Sequence, residues 1–213
     1  MSKLLVINKK INKFNKIIKI EGDKSLSIRC ALLASQAKGK STIKNLLKSD
    51  DVLSTIKCLK KLGVKIKQDG NTCEIYGLGL NGFKYKKNLI LDAGNSGTLG
   101  RLIMGLLVHS NKKIKIIGDE SLSKRDFQRV IHPLQKFGAI FKSRSGKLPV
   151  HITGTKKPVP INYYEKKGSA QCKSAVMLAA LNTTGVTKIN AKQSRNHSEL
   201  LFKHLKVPIK TKR

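Results

Sequence analysis

The chain has 213 residues, enough for one large domain or two small ones, and 39% of them are hydrophobic. Lys and Arg number 44 against 12 Asp and Glu, so the formal net charge of +32 should attract anions such as phosphorylated metabolites or nucleic acid. This composition excludes a wholly disordered chain, and no apolar run approaches the roughly 20 residues of a membrane span. The four cysteines are scattered without a CxxC pair, which favours reduced thiols in the cytoplasm over a zinc or disulfide framework.

Three helices that are apolar on nearly all sides are predicted, and each begins with small polar residues. These helices are predicted at 24–34, 95–105 and 169–179. The serines at their starts, Ser25, Ser96 and Ser169, recur at intervals of about 70 residues. Because a helix that is apolar all round belongs inside a protein, we expect these three to be buried. A short strand is predicted after each of them, at 41–44, 114–117 and 186–189.

Three amphipathic helices alternate with the apolar ones, and their lysines should face solvent. They are predicted at 51–62, 126–137 and 198–205, with short strands after them at 63–66, 138–141 and 206–209. In the first two, Asp51 and Asp126 stand where an N-cap belongs, and Gly63 and Gly138 where a left-handed residue ends a helix. The third has Lys206 at the glycine position, so its helix end should be less well formed.

Alternating helices and strands in three similar units predict an α/β or α+β domain with three-fold pseudo-symmetry. The free N–H groups and positive dipole at the start of each apolar helix make a natural anion site. Basic side chains lie near all three starts, namely Lys24, Arg29, Arg101 and Lys173. We expect a cleft for a ligand with phosphate and carboxylate groups. The same residues also allow the simpler interpretation of ordinary N-capping with solvated lysines.

Five segments, in chain order, resemble motifs of the EPSP synthase (3-phosphoshikimate 1-carboxyvinyltransferase) family. They are GDKSLSIR at 22–29, LDAGNSGT at 91–98 followed by Arg101, GDESLSKR at 118–125, SAQ at 169–171 and SRNH at 194–197. The resemblance implies an α+β fold of three pseudo-repeated βαβαββ units with buried helices, which is one globular half of the two-domain enolpyruvyl transferase fold. Residues 1–20 would then belong to the second half, and 21–213 would form the N-terminal substrate-binding half. Its three repeats would span about 21–90, 91–160 and 161–213.

The resemblance also implies a transferase activity without metal or cofactor. The enolpyruvyl group of phosphoenolpyruvate is transferred to the 5-hydroxyl of shikimate 3-phosphate, in the shikimate pathway of aromatic amino acid biosynthesis. The residues implied for shikimate 3-phosphate are Lys24, Ser25, Arg29, Ser169 and Gln171. Those implied for phosphoenolpyruvate are Lys24, Gly97, Arg125 and Gln171, with Asn95, Thr98, Arg101 and Ser194 in support. No catalytic residue is implied in this chain, because the acid and base carboxylates of the family lie in its second half.

The chain departs from the family in three motif positions and in length. Ile28 replaces a usual His or Asn and should remove one polar contact, while Asp126 replaces Pro and could compete for Arg125. Asn196 replaces the common Asp. Because the family is about twice as long, we expect activity only together with a complementary C-terminal half. The chain would be a natural half-protein, a fragment or a subunit of a split enzyme.

Two other functions stay open from the sequence. One is a non-catalytic protein that binds shikimate 3-phosphate or another anion, and the other is a basic nucleic-acid-binding protein. Only the net charge suggests nucleic-acid binding. The chain has four Tyr, six Phe and no Trp for stacking on bases, and its lysines are dispersed, which argues against a dedicated nucleic-acid interface. We therefore expect nucleic acid to bind only nonspecifically. Stabilisation by shikimate 3-phosphate alone would separate a specific site from this general attraction.

Overall fold

The computed structural model describes residues 20–211 and, before them, residues 4, 6, 8, 10, 13 and 15–18. The helices are α1 (Lys24–Ala34), α2 (Asp50–Lys61), α3 (Gly97–Leu106), α4 (Glu120–Ser123), α5 (Gln128–Gln135), α6 (Ala170–Leu181) and α7 (His197–His204), with a 3-10 turn at Leu107–His109. The strands are β1 (Lys38–Lys44), β2 (Lys65–Asp69), β3 (Thr72–Leu78), β4 (Leu89–Asp92), β5 (Ile114–Ile117), β6 (Ile140–Lys142), β7 (Val150–Thr153), β8 (Asn162–Glu165) and β9 (Lys188–Ala191). The segment predicted at 1–20 lies largely outside the described residues. Among the described helices, none is long and apolar enough to cross a bilayer.

The strands form three separate sheets, one for each stretch of about 70 residues. The first sheet has the order β1-β3-β2 and is antiparallel throughout. The second has the order β4-β5-β7-β6, with β4 parallel to β5 and the other pairs antiparallel. The third pairs β8 with β9 in parallel. The second unit therefore runs β4-α3-β5-α5-β6-β7, with the short α4 before α5, and this is the βαβαββ order expected of an α+β unit. The limits of the three repeats stay a prediction.

The apolar helices form the centre of the molecule, as predicted. Helices α3 and α6 are buried along most of their length and pack against each other. Their backbones come so close that a Cβ on Gly105 would lie 2.2 Å from the carbonyl oxygen of Ala175, so only glycine fits there. In α1, Ile28 is fully buried in the core. The position expected to lose a polar contact is thus an apolar packing position in this chain.

The amphipathic helices α2 and α5 pack their apolar faces into the core and turn their polar faces outwards, but their starts differ from the prediction. The N-cap of α2 is Ser49, and Asp51 lies in the first turn, where its carboxylate forms an ion pair with Lys24 of α1. Helix α5 begins two residues after Asp126, whose Oδ1 accepts a hydrogen bond from the N–H of Gln128 at 2.7 Å. Asp126 therefore bonds to the first turn of α5. It does not compete for Arg125, since no ion pair joins the two within the described part of the chain.

The predicted left-handed glycines are confirmed, with φ of +90° at Gly63 and +103° at Gly138. At the third copy, Lys206 adopts the same conformation, with φ of +56°. Its N–H donates to the carbonyl of Lys203 at 3.0 Å, and the N–H of Val207 donates to that of Phe202 at 2.8 Å. These two bonds complete a Schellman motif. The expectation of a poorly formed helix end was therefore wrong, because the lysine accepts the unfavourable backbone conformation.

The strand predicted at 206–209 is not formed, since residues 207–211 have no regular structure. Strands β2 and β6, which hold the same place after α2 and α5, each pair with the strand that follows them in the chain. No strand follows α7 in the described residues, so a segment at this place has nothing to pair with. The strand prediction was therefore wrong, because a strand-like pattern forms a strand only where another strand can pair with it.

Replacing Lys206 with glycine should stabilise the protein by about 1 kcal/mol, because a left-handed conformation is unfavourable for a residue with a Cβ. Urea unfolding of the two proteins measures the difference. The matched control is Lys203→Gly, one turn earlier inside α7, which should destabilise the helix by about 1 kcal/mol. The same sign of change in both variants would contradict this explanation.

Candidate functional site

The first part of the site is built on α1, where Arg29 is buried without a carboxylate partner. The side chain of Asp23 caps α1 by accepting from the N–H of Leu26 at 2.7 Å. The side chain of Arg29, a residue only 5% exposed, donates from Nε to Ser198 Oγ at 2.9 Å and from Nη2 to Ser174 Oγ at 3.2 Å. Its Nη1 donates to the carbonyl of Ser25 at 3.0 Å. No salt bridge to Arg29 forms within the described residues, and its hydrogen-bond partners are all uncharged.

This environment makes Arg29 a suitable ligand for an anion. Burial lowers the pKa of its guanidinium, and the more distant charges of Asp23 and Glu199 oppose that effect in part. An arginine has five N–H groups, and three of them are used by α1, α6 and α7. A desolvated positive charge with N–H groups to spare gains more from an incoming carboxylate or phosphate than an exposed arginine does.

The second part is the glycine-rich turn before α3. Ser96 caps α3 by accepting from the N–H of Leu99 at 3.2 Å. The amide of Asn95 links this turn to the segment 118–125, since its Nδ2 donates to Asp119 Oδ2 at 2.5 Å and its Oδ1 accepts from Arg125 Nη2 at 3.4 Å. The first contact helps to hold the pKa of Asp119 below its usual value. Asn95 therefore orients the exposed Arg125 towards the start of α3.

Arg101 packs under this turn and connects it to α6. Its Nη1 donates to the carbonyl of Gly97 and to Gln171 Oε1, both at 3.2 Å, and its guanidinium lies 4.7 Å from the ring centre of Phe127. Gln171 in turn donates from Nε2 to Thr98 Oγ1 at 3.0 Å. The starts of α3 and α6 are therefore joined directly. Arg101 thus shares its donors between the start of α3 and α6, and its role as a supporting residue stays a prediction.

Gly97 lies against two arginines at this point. A Cβ there would be 2.8 Å from Arg101 Nη1 and 3.2 Å from Arg125 Nη1. Its φ is not in the left-handed region, so a side chain here would meet close neighbours and not backbone strain. Both neighbours are the ends of flexible arginine side chains, so a Cβ would shift their guanidinium groups. That a side chain here would intrude on a ligand stays a prediction.

Lys24 stands apart from this arginine group in the structure. Its Nζ pairs with Asp51 on α2 at 3.0 Å, and half of its side chain is exposed. The link to the glycine-rich turn is indirect, through Ser54 of α2, whose Oγ would lie 3.0 Å from a Cβ on Gly94. The pair is only partly solvated, because the side chain of Asp51 is 18% exposed.

The third part is the start of α6 and the connection before α7. Ser169 caps α6 by accepting from the N–H of Cys172 at 3.2 Å. A Cβ on Gly168 would lie 3.2 Å from the carbonyl oxygen of Gln193, so the two segments are in contact. Three buried atoms of the second segment have no hydrogen-bond partner among the described residues, namely Ser194 Oγ, His197 Nδ1 and Glu199 Oε2. Since unpaired buried polar atoms are costly, this place is suited to a polar ligand.

Of the predicted residues, the structure brings most to one end of the three buried helices. Lys24, Asn95 and Arg125 are exposed, whereas Ser25, Arg101, Ser169, Gln171 and Ser194 are half-buried, and Arg29, Gly97 and Thr98 are buried. Lys173 was expected near the anion site, but it is buried and paired with Glu199 at 2.5 Å. Its charge is therefore already neutralised. Asn196, the third departure, precedes α7 without a side-chain capping bond.

Sequence reasoning missed four residues that hold the predicted ones in place: Asp119, Ser174, Ser198 and Glu199. A signal existed for Ser174, which is a polar residue next to the apolar run 175–181. Ser198 and Glu199 directly follow the SRNH motif, so their neighbourhood was marked. Their bonds to Arg29 and Lys173 join helices 20 or more residues apart in the chain, and spacing alone does not reveal such pairs.

Comparisons with known proteins agree with this geometry. The chain is 45% identical over 204 residues to the 3-phosphoshikimate 1-carboxyvinyltransferase of Ruthia magnifica subsp. Calyptogena magnifica, a match that covers 95% of this chain and 46% of the relative. It is 44% identical over 185 residues to that of Streptococcus agalactiae, covering 85% and 43%. The solved structure of EPSP synthase from Acinetobacter baumannii superposes with a TM-score of 0.86 at 33% identity, covering 92% of this chain and 44% of that one.

The chain thus spans about half the length of the curated relatives it matches. Its fold corresponds to one half of the two-domain structure, since the superposition covers nearly all of this chain and less than half of the other. The model of the EPSP synthase (3-phosphoshikimate 1-carboxyvinyltransferase) family matches residues 8–213. With its motifs, its fold and this match in agreement, the chain belongs to the EPSP synthase family.

Proposed function

We propose that this chain binds shikimate 3-phosphate and phosphoenolpyruvate as the substrate-binding half of an enolpyruvyl transferase. The observation that carries the proposal is the direct joining of three helix starts. Gln171 of α6 bonds to Thr98 of α3, and Arg29 of α1 bonds to Ser174 of α6. The positive ends of three buried helices and the guanidinium groups of Arg29 and Arg125 therefore serve one region, which suits ligands with several negative charges.

Shikimate 3-phosphate is held by Lys24, Ser25, Arg29, Ser169 and Gln171 in this proposal. The free N–H groups of Arg29 receive one anionic group, and the start of α6 with Ser169 receives another. Ser194, whose buried Oγ has no partner within the described residues, adds a hydroxyl beside Ser169. Such a division lets one ligand bridge α1 and α6.

Phosphoenolpyruvate lies at the start of α3, held by Gly97, Arg125 and Gln171, with Lys24 turning from Asp51 to reach both ligands. The reaction adds the 5-hydroxyl of shikimate 3-phosphate to C2 of phosphoenolpyruvate, with protonation of C3. Elimination of phosphate then restores the double bond. A complementary C-terminal half supplies the proton-transfer groups and covers the site.

Shikimate 3-phosphate should raise the melting temperature by about 5–10 °C at about one hundred times its Kd, because it binds only the folded chain. Thermal unfolding is measured with this ligand, with inorganic phosphate and with unphosphorylated shikimate. Equal shifts from all three would contradict a specific site and leave a general attraction to anions.

Two variants sharpen this measurement. Lys24→Ala should reduce the shift, whereas Lys142→Ala on the exposed side of β6 should leave it unchanged. The same loss from both would mean that the net charge of the chain, and not the site, attracts the ligand. A shift that vanishes in moderate salt would favour the nonspecific polyanion interpretation.

A further inference from the structure

A buried glutamate outside the predicted site holds the turn that leads into α6. Glu165, at the end of β8, is only 4% exposed. It accepts from Arg129 Nη2 at 3.1 Å, from the N–H of Lys167 at 2.9 Å and from the hydroxyl of Tyr163. Burial alone would raise its pKa, but these bonds and the N–H of Ser169 together hold the pKa of Glu165 below its usual value. The carboxylate is therefore ionised and fully engaged.

The bonds of Glu165 fix the backbone just before the N-cap of α6. Its contact with the N–H of Lys167 closes a short turn, and Gly168 follows in the left-handed conformation with φ of +67°. Ser169 comes next and caps the helix. The side chain of Arg129 brings α5 of the second unit against this turn of the third. One carboxylate thus sets the direction in which α6 presents its first N–H groups.

Charge and geometry have opposite consequences here, which makes the role testable. By charge alone, a carboxylate near the start of α6 would repel a phosphate. By geometry, it aligns Ser169 and the free N–H groups that would bind one. The neighbouring Arg129 offsets much of the negative charge.

We propose that Glu165 is a positioning residue that sets the Lys167–Ser169 turn for binding the phosphate of shikimate 3-phosphate. The inference rests on the proposed function for its ligand, while the turn itself is tested without one. The proposal predicts that ligand binding depends on the length and the hydrogen bonds of the side chain at position 165, and not on its charge.

Three substitutions separate these contributions. Glu165→Ala removes all the acceptors and should weaken shikimate 3-phosphate binding about tenfold or more, as measured by calorimetry. Glu165→Gln keeps an oxygen for Arg129 and Lys167 while its amide donates to Tyr163, so its Kd should stay within about threefold of the wild type. Glu165→Asp keeps the charge but shortens the side chain, so it should resemble the alanine variant.

Glu74 is the control, because like Glu165 it accepts hydrogen bonds from a tyrosine two residues away in the chain and from a basic side chain. Tyr76 donates to it at 3.1 Å and Lys40 at 2.9 Å, but it lies on the first sheet, where no site residue is predicted. Glu74→Ala should leave the Kd unchanged. An effect equal to that of Glu165→Ala would reduce the result to a general loss of stability.

Amide hydrogen exchange at Lys167, Ser169 and Cys172 tests the turn itself. Exchange should accelerate in Glu165→Ala and Glu165→Asp and stay as in the wild type in Glu165→Gln. Unchanged exchange in the first two, or binding by Glu165→Ala as tight as the wild type, would overturn the inference. If the wild type binds no shikimate 3-phosphate, the proposed function fails, and the exchange measurement still decides the role of Glu165. Should the alanine variant not fold, the aspartate and glutamine variants make the same distinction.

Discussion

Replacing Arg29 with methionine is expected to reduce the stabilisation by shikimate 3-phosphate by half or more and to leave the ligand-free protein at least as stable as the wild type. The guanidinium is buried, and its hydrogen-bond partners within the described residues are uncharged. Replacing buried charged groups with apolar ones of similar volume is often neutral or stabilising, by about 1–4 kcal/mol. Arg29 in the ligand-free protein is therefore a buried charge that its uncharged hydrogen-bond partners and the more distant Asp23 and Glu199 offset only in part.

The groups around Arg29 can tolerate its loss. Ser174 Oγ donates to the carbonyl of Ala170 at 2.6 Å and lies 2.7 Å from Ser198 Oγ, so the two hydroxyls keep each other satisfied. Methionine fills the space without a polar atom, whereas alanine would leave a cavity that adds its own cost. The methionine variant thus isolates the charge, and the lost ligand contact should amount to about 1.5–3 kcal/mol of binding free energy.

Urea unfolding with and without shikimate 3-phosphate measures both effects. Lys142→Met on exposed β6 is the control and should change neither the stability nor the ligand effect by more than about 0.5 kcal/mol. A methionine variant that is strongly destabilised yet keeps the full ligand effect would show that Arg29 holds the helices together and does not bind the ligand.

The surroundings of Arg29 illustrate what the sequence could and could not predict. The motif around Arg29 and the apolar run after it predicted a buried helix with a basic residue near its start, and the structure confirms the helix. Its partners Ser174 and Ser198 lie more than 140 residues away, and no local pattern identifies them. Local patterns therefore found the elements, while the contacts between elements required the fold.

The two sequence errors at element ends have the same physical origin. Lys206 predicted a poorly formed end of α7, but two backbone hydrogen bonds outweigh the cost of its left-handed conformation. The strand predicted at 206–209 had a suitable pattern and found no partner in the described residues. Hydrogen bonds decided both outcomes. The N–H groups of Lys206 and Val207 bond back to α7 and complete the helix end, whereas no neighbouring strand among the described residues bonds to 207–209. Propensity is a weak guide wherever pairing contributes more.

The chain by itself is expected to release no phosphate when it is given both shikimate 3-phosphate and phosphoenolpyruvate. Binding alone does not accelerate the reaction, which needs one group to accept the hydroxyl proton and another to protonate the methylene carbon. A general base must have an oxygen or nitrogen free to approach that proton.

Most of the carboxylates around the candidate site already accept from a donor. The pairs are Asp51 with Lys24, Asp119 with Asn95, Asp126 with the N–H of Gln128, Glu165 with Arg129, and Glu199 with Lys173. These bonds help to hold the pKa of Asp119 below its usual value, and they do the same for Glu165 despite its burial. Glu199 is paired with Lys173 through Oε1, while its buried Oε2 has no partner among the described residues. The site is also open to water, which weakens every electrostatic contribution to a transition state. We therefore expect the proton-transfer groups to come from a complementary half. Glu199 Oε2 and His197 Nδ1 have no partner among the described residues, but both are buried.

Inorganic phosphate release decides the matter, assayed with the purified chain alone and with a complementary C-terminal half added. Activity should appear only in the mixture, and Lys24→Ala should remove it there, because that lysine reaches both ligands in the proposal. Turnover by the chain alone that Lys24→Ala abolishes would exclude a contaminant and overturn the prediction. His197, whose buried Nδ1 has no hydrogen-bond partner among the described residues, would then be the first base to replace. Loss of that turnover in His197→Gln would assign the proton transfer to this half of the fold.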